Sequence, residues 1–202
     1  MDKKGLILFA KFAHPVAIQC GCNFQEAKIL SKFVKTGQMS PRIAQIVQKF
    51  SGACSCLKKI ASRHHIEDPF NYKVVEAYFL GNALLTAFPQ KELPFHLAAL
   101  IKSLGQASVH HSLEIDDCRI SWGKVLKIYP AGAIRVKYWP LQKQLGKLQI
   151  GPRTEKLVDI IADTKIKKGD YVAIHREIAC HRLTTKQLNQ LKFWTKEILK
   201  NL

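Results

Sequence analysis

The segment 109–125, VHHSLEIDDCRISWGKV, brings side chains of the metal-binding type close together. His110 and His111 are adjacent, and Cys118 follows them after a short interval that contains two aspartates. Imidazole and thiolate groups are common ligands of transition metals, and thiolate is the softer of the two. The segment therefore predicts either a metal site at a domain junction or an ordinary loop that leads into a strand.

Other cysteines offer further candidate ligands. Cys20 and Cys22 form a Cys-x-Cys pair in a predicted loop, where side chains are available to a site. Cys54 and Cys56 form a second pair inside a predicted helix, where such positions point about 200° apart, so we expect small core residues there. Cys180 lies between the last predicted strand and the last predicted helix and is also a candidate ligand.

The sequence carries no signal for secretion or for a membrane span. Its first apolar run, residues 5–10, ends at Lys11, and no apolar stretch reaches the roughly 18 residues that a transmembrane helix needs. We therefore expect a cytoplasmic protein. Its six cysteines should be thiols, ligands or core residues rather than disulfides.

The composition is that of a folded but strongly basic protein. Hydrophobic residues make up 47%, which excludes a disordered tail, and 32 Lys and Arg residues against 15 Asp and Glu residues give a net charge of +17. Residues 1–113 hold 14 basic and 6 acidic side chains, and residues 114–202 hold 18 and 9. The charge therefore suggests an acidic partner, but it is not concentrated in a basic tail.

The spacing of apolar residues changes in the middle of the chain. Helical spacing predicts helices over residues 24–35, 41–64, 69–84 and 93–104, and Gly52 is a weak point in the second. Beyond residue 117 the pattern alternates, as in β-strands, over residues 119–128, 133–139, 147–150, 156–161 and 171–175, and a helix follows Thr184. We predict an α+β chain: an all-helical domain over 1–113, then a small antiparallel barrel with a C-terminal helix over 114–202.

Two motifs in the second half carry a resemblance to a known family. Cys118 precedes Gly123-Lys124-Val125, and the segment GDYVAIH over residues 169–175 comes before the last helix. Over residues 117–200 this order resembles the HypC/HupF family of nickel–iron hydrogenase maturation chaperones. The resemblance implies an OB-like barrel, with Cys118 as a ligand of iron that carries cyanide and carbonyl groups, and His175 as its companion.

The whole chain is also similar to an uncharacterised prokaryotic family of about this size. The segments that carry this similarity are Cys20-Gly21, VEAY over 75–78, GNALL over 81–85, HHS over 110–112, CRI over 118–120, GPRTE over 151–155 and Cys180 before Arg182-Leu183-Thr184. That family brings no established activity.

Our leading hypothesis is an accessory protein that carries iron, or an iron–diatomic fragment, to a partner such as a hydrogenase precursor or a maturation scaffold. Cys118 at the start of the first barrel strand and His175 at the end of a late one can meet at one rim. The further ligands would be His110, His111, Cys20 and Cys180. We assign no catalytic residues, because no Ser-His-Asp order, phosphate loop or nucleotide fingerprint is present.

The alternative hypothesis is a basic small-barrel module that binds nucleic acid. Its contact residues would be cations and an aromatic ring on the first two strands: Lys124, Lys127, Arg135, Lys137 and Trp139. A third interpretation is a structural interaction domain without a metal. Convergence of the Cys and His side chains would favour the carrier, whereas one open face of Lys, Arg and aromatic residues would favour the nucleic-acid module.

Overall fold

The structure is a computed structural model, and it describes residues 1–19, 24–104, 112–130, 132–161 and 165–202. The helices are α1 (Lys3–Gln19), α2 (Phe24–Thr36), α3 (Pro41–Gln48), α4 (Ser51–Arg63), α5 (Tyr72–Leu80), α6 (His96–Leu104), α7 (Ser112–Cys118) and α8 (Thr185–Lys200). The strands are β1 (Ser121–Ile128), β2 (Ala133–Tyr138), β3 (Leu141–Gln144), β4 (Lys147–Ile150), β5 (Thr154–Ile160), β6 (Tyr171–His175) and β7 (Ile178–Leu183). Across these ranges no helix is both long and apolar enough to cross a membrane.

The first half is helical, as the apolar spacing predicts, and α1 lies at its centre. Helix α1 packs against α2 and α5, and Phe12 stacks on Phe79 with ring centroids 4.6 Å apart. The helix expected over 41–64 is instead divided into α3 and α4. The division falls at Lys49 and Phe50, where the Phe50 backbone leaves the helical region, and Gly52 itself lies inside α4.

Five strands form a closed barrel in the order β1-β2-β5-β7-β6, and β3 and β4 form a separate two-stranded hairpin. The β5–β7 pair is parallel and the other barrel pairs are antiparallel. This corrects the expectation of a purely antiparallel barrel. Directions cannot alternate around a closed ring of five strands, so one neighbouring pair has to be parallel.

A β-bulge in β1 sets which of its side chains face outward. Val125 lies opposite Val136, and both are buried inside the barrel. The register then shifts, so that Lys127 rather than Leu126 lies opposite Arg135. In a regular ladder Lys127 would have the opposite orientation and would point into the barrel.

The interior of the barrel is small and tightly packed. Valine, isoleucine and alanine side chains from all five strands fill it. A Cβ atom on Gly123 would lie 2.9 Å from Ile174 Cδ1 and 3.0 Å from Val136 Cβ, which is closer than side chains normally pack. Packing therefore accounts for the glycine of the Gly-Lys-Val motif.

The helical half and the barrel share one principal core. This core contains Phe12 and Phe79 from the first half together with Trp122 and Leu191 from the second. Helix α8, which begins with a capping box at Thr184, packs against α5. Apolar contacts therefore continue across residue 113, where the sequence predicts a boundary.

Candidate functional site

Cys118 and His175 are held on neighbouring segments. Cys118 is the last residue of α7 and is half-buried; it does not begin the first strand, which starts at Ser121. His175 is the last residue of β6, as predicted. The two segments are joined where the Arg176 amide donates to the Asp117 carbonyl at 3.0 Å.

The His175 side chain is buried at the junction between the barrel and α1. It is 2% exposed, and its Nδ1 donates to the Phe12 carbonyl at 2.8 Å. The ring also makes a hydrogen bond with the main chain of Cys118. Loss of solvent lowers the pKa of His175 to about 4 and outweighs these hydrogen bonds, which favour the charged ring. At neutral pH the imidazole is therefore uncharged.

A second histidine, His96 at the start of α6, lies beside His175. Their ring centroids are 5.3 Å apart, and His96 Nδ1 has no hydrogen-bond partner among the described residues. Burial is the main reason that the pKa of His96 lies well below its usual range, and the neighbouring His175 lowers it further. The sequence gives no sign of this pair, because the two histidines are nearly eighty positions apart in the chain.

A cavity of about 320 Å³ reaches both histidines. Aromatic side chains dominate its walls, including Phe12, Tyr78 and Phe79, and Lys49 also lines it. An apolar cavity with a few convergent polar groups is the usual form of a small-ligand site. Two uncharged imidazoles on its wall can donate or accept a hydrogen bond without adding charge.

A buried ion pair fixes the position of Cys118. Asp116 Oδ1 accepts from Arg119 Nε at 2.9 Å and from the Leu141 amide at 2.8 Å. Arg119 is 1% exposed and also donates to the Trp139 carbonyl. Asp116 and Arg119 flank Cys118, so their contacts hold this end of α7 against the strands that follow. Asp116 and Asp117 both lie in α7.

Of the remaining predicted ligands, only Cys180 lies within the described residues, and its thiol makes a hydrogen bond with the main chain of His175. Cys180 is fully buried, its thiol donates to the Ile178 carbonyl at 3.3 Å, and burial raises its pKa. Cys20, His110 and His111 lie outside the described residues. Within the described ranges, no three His, Cys, Asp or Glu side chains are placed so that they could hold a metal ion.

The cations predicted for nucleic acid form a second candidate site. Lys124 lies directly opposite Lys137, and Lys127 lies directly opposite Arg135. We call these four residues the basic strand pair. In the part of the chain that the structure describes, none of them makes an ion pair. Trp139 is packed elsewhere, with Lys192 Nζ of α8 5.8 Å from its ring centroid.

The geometry thus defines a class of protein in which a helical half is joined to a small closed barrel, with candidate sites on the barrel. The model of a family described as "Family of unknown function (DUF6390)" matches residues 1–114 and 99–202. The chain belongs to this family, in agreement with the whole-chain similarity. This match gives no support to the HypC/HupF resemblance.

Two further comparisons returned no relatives. No curated protein matches the chain. No solved structure matches it either.

Proposed function

We propose that the protein is a carrier of the hydrogenase-maturation type. In this proposal Cys118 presents a thiolate to iron, or to an iron fragment with cyanide and carbonyl ligands, as cargo for a partner protein. The observation that supports it is the contact between the His175 ring and the Cys118 main chain at the end of α7.

The topology of the barrel supports the finer assignment to an OB-like, HypC-type fold. Numbered along the chain, the barrel strands are adjacent in the order first, second, third, fifth, fourth, and the fourth closes on the first. Such five-stranded barrels with crossed connections are typical of OB folds. A helix follows the last strand, as in the family that residues 117–200 resemble.

The two residues have different roles in this proposal. A thiolate is a soft donor that suits low-spin iron, so Cys118 is the ligand. The His175 ring contacts the main chains of Phe12 and Cys118 and acts as a positioning residue. The partner supplies the remaining ligands of the iron, so that the carrier can release the iron to it.

The experiment is anaerobic purification of the full chain, followed by iron analysis and infrared spectroscopy in the cyanide and carbonyl region. The parent should retain iron, and Cys118→Ala should lose it. Cys56→Ala is the matched control, because Cys56 is also a half-buried helical cysteine. His175→Asn should weaken iron retention without abolishing it.

Two results would contradict the proposal. One is equal iron content in Cys118→Ala and Cys56→Ala. The other is a parent protein that, after incubation with ferrous iron under anaerobic conditions, retains no more iron than Cys118→Ala. Circular dichroism of each variant establishes that a loss of iron is not a loss of fold.

A further inference from the structure

The basic strand pair places like charges directly opposite each other on two neighbouring strands. Such an arrangement destabilises a sheet, because opposed side chains on one face are close together. Lys124, Lys127 and Arg135 are exposed and Lys137 is half-buried, so their charges face outward. Lys137 also lies opposite Glu155 on β5, but the described ladders place no acidic residue opposite Lys124, Lys127 or Arg135, so their repulsion is a cost to the fold that a ligand would offset.

The bulge at Leu126 creates the facing pair of Lys127 and Arg135. It inserts one residue into β1, and Lys127 consequently faces outward beside Arg135. Bulges occur next to functional sites, where they redirect a side chain. In an unbulged ladder Lys127 would lie opposite Ile134, inside the barrel, and the outward face would lose one cation.

A groove of about 660 Å³ runs along the outer side of β2 and β5 beside these cations. Arg135 is shared between the groove and the basic strand pair. The groove also has an aromatic and an aliphatic wall: Tyr129, with Lys127 Nζ 4.9 Å from its ring centroid, and Leu157, which is 58% exposed. Its other lining residues are Ala133, Lys156 and Glu155, the last of which is acidic.

We infer that the basic strand pair and this groove form a binding surface for single-stranded nucleic acid. Cations beside apolar and aromatic walls suit a strand that offers both phosphates and unpaired bases. The groove lies on the second and third barrel strands and beside the loop after the first, which is where OB-type barrels bind oligonucleotides. An acidic protein would use the cations but would have no particular use for Tyr129.

This surface is separate from the Cys118 site. Lys127 is six strand residues beyond Ser121, and Ser121 is itself past the end of α7. At roughly 3.3 Å per strand residue, Lys127 is about 20 Å and Lys124 about 10 Å from Ser121, and the surface shares no residue with the Cys118 site. The inference therefore does not depend on the proposed iron carrier, and each can fail while the other holds.

The test uses the full chain and a fluorescein-labelled 20-nucleotide oligo(dT) strand, with binding measured by fluorescence anisotropy between 50 and 200 mM salt. If the four cations each neutralise one phosphate, the affinity should fall about 50-fold over this range. The double variant Lys127→Gln with Arg135→Gln should reduce that fall to about 7-fold. Lys143→Gln with Lys147→Gln is the matched control, since it removes two exposed lysines from the β3–β4 hairpin.

Base contact is tested separately with Tyr129→Ala and Tyr129→Phe. The alanine variant should weaken oligo(dT) binding at least fivefold, whereas phenylalanine should preserve it, because stacking needs only the ring. A 20-base-pair duplex and polyglutamate should bind more weakly than oligo(dT) at equal salt. The inference is overturned if both double variants have the same effect, or if polyglutamate competes as well as oligo(dT) and Tyr129→Ala changes nothing. The latter pair of results would identify an acidic protein partner instead.

Discussion

The buried imidazole of His175 should make the stability of the protein depend on pH between 7 and 4. The folded state lowers the pKa of this ring from 6.5 to about 4, chiefly because the ring is removed from water. As the pH falls, the unfolded chain takes up a proton near pH 6.5, but the folded chain does not until about pH 4. The unfolded state therefore binds more protons in this window, and stability is lost as the pH falls through it.

The size of the effect follows from the two pKa values. Between pH 7 and pH 5 the unfolded ring becomes almost fully charged, while the folded ring gains only about a tenth of a proton. Integrated over this interval, the difference lowers the free energy of unfolding by about 2 kcal/mol. His96 should add a loss of the same sign, since its pKa is also lowered by burial.

The assay is urea unfolding at pH 7, 6 and 5, followed by tryptophan fluorescence, on the parent, His175→Asn and His65→Asn. His65 is the control because it is exposed and has a positive φ of 54°, which asparagine tolerates. The parent and His65→Asn should show the same dependence on pH. His175→Asn should be less stable at pH 7, but it should lose about 2 kcal/mol less than the parent on going to pH 5.

A His175→Asn protein with the same pH dependence as the parent would refute this reasoning. If this variant does not fold at pH 7, the parent still provides a test by NMR titration of the His175 ring. A midpoint near 6.5 rather than about 4 would show that the ring is not held neutral by burial.

Substitutions at three further positions test the packing of the fold by thermal and urea unfolding. Asp116→Asn should lower the free energy of unfolding by about 3–5 kcal/mol, because it leaves the buried guanidinium of Arg119 without its counter-charge; a loss below about 1 kcal/mol would contradict this. Gly81→Ala should destabilise by more than about 2 kcal/mol, since Gly81 has a φ of 80° and an added Cβ would overlap Trp194; an unchanged melting temperature would be inconsistent with that contact. Thr184→Ala should cost about 1 kcal/mol through loss of the cap of α8, whereas Thr184→Ser should cost little.

The general architecture could be predicted because it depends on local patterns. Apolar spacing distinguishes the helical half from the barrel, and Thr184 identifies the start of the last helix. The bulge at Leu126 could not be predicted, because register depends on the partner strand and not on β1 alone. The parallel β5–β7 pair follows from the closure of five strands, which the local sequence does not reveal.

The candidate sites show the same division between local and long-range information. A strand that ends at His175 is a local prediction, and the structure agrees with it. The alternating pattern that follows Cys118 predicts a strand there, but Cys118 ends α7. Asp116 holds this end of the helix through Arg119 and the distant Leu141 amide, and an alternating pattern does not reveal such contacts. The contact between His96 and His175 joins α6 to β6, and no short motif encodes it.

The positions of the basic residues indicate more about a binding partner than the net charge does. Elsewhere on the surface, Lys59 pairs with Glu92 at 2.9 Å. On β1 and β2 the cations face one another instead, although β5 carries Glu155 directly opposite Lys137. A solubility requirement would be met by cations at any exposed position and gives no reason to oppose them in pairs. The polyanion that we infer as the ligand would give such a reason, because closely spaced cations on a rigid scaffold bind it more strongly despite their mutual repulsion.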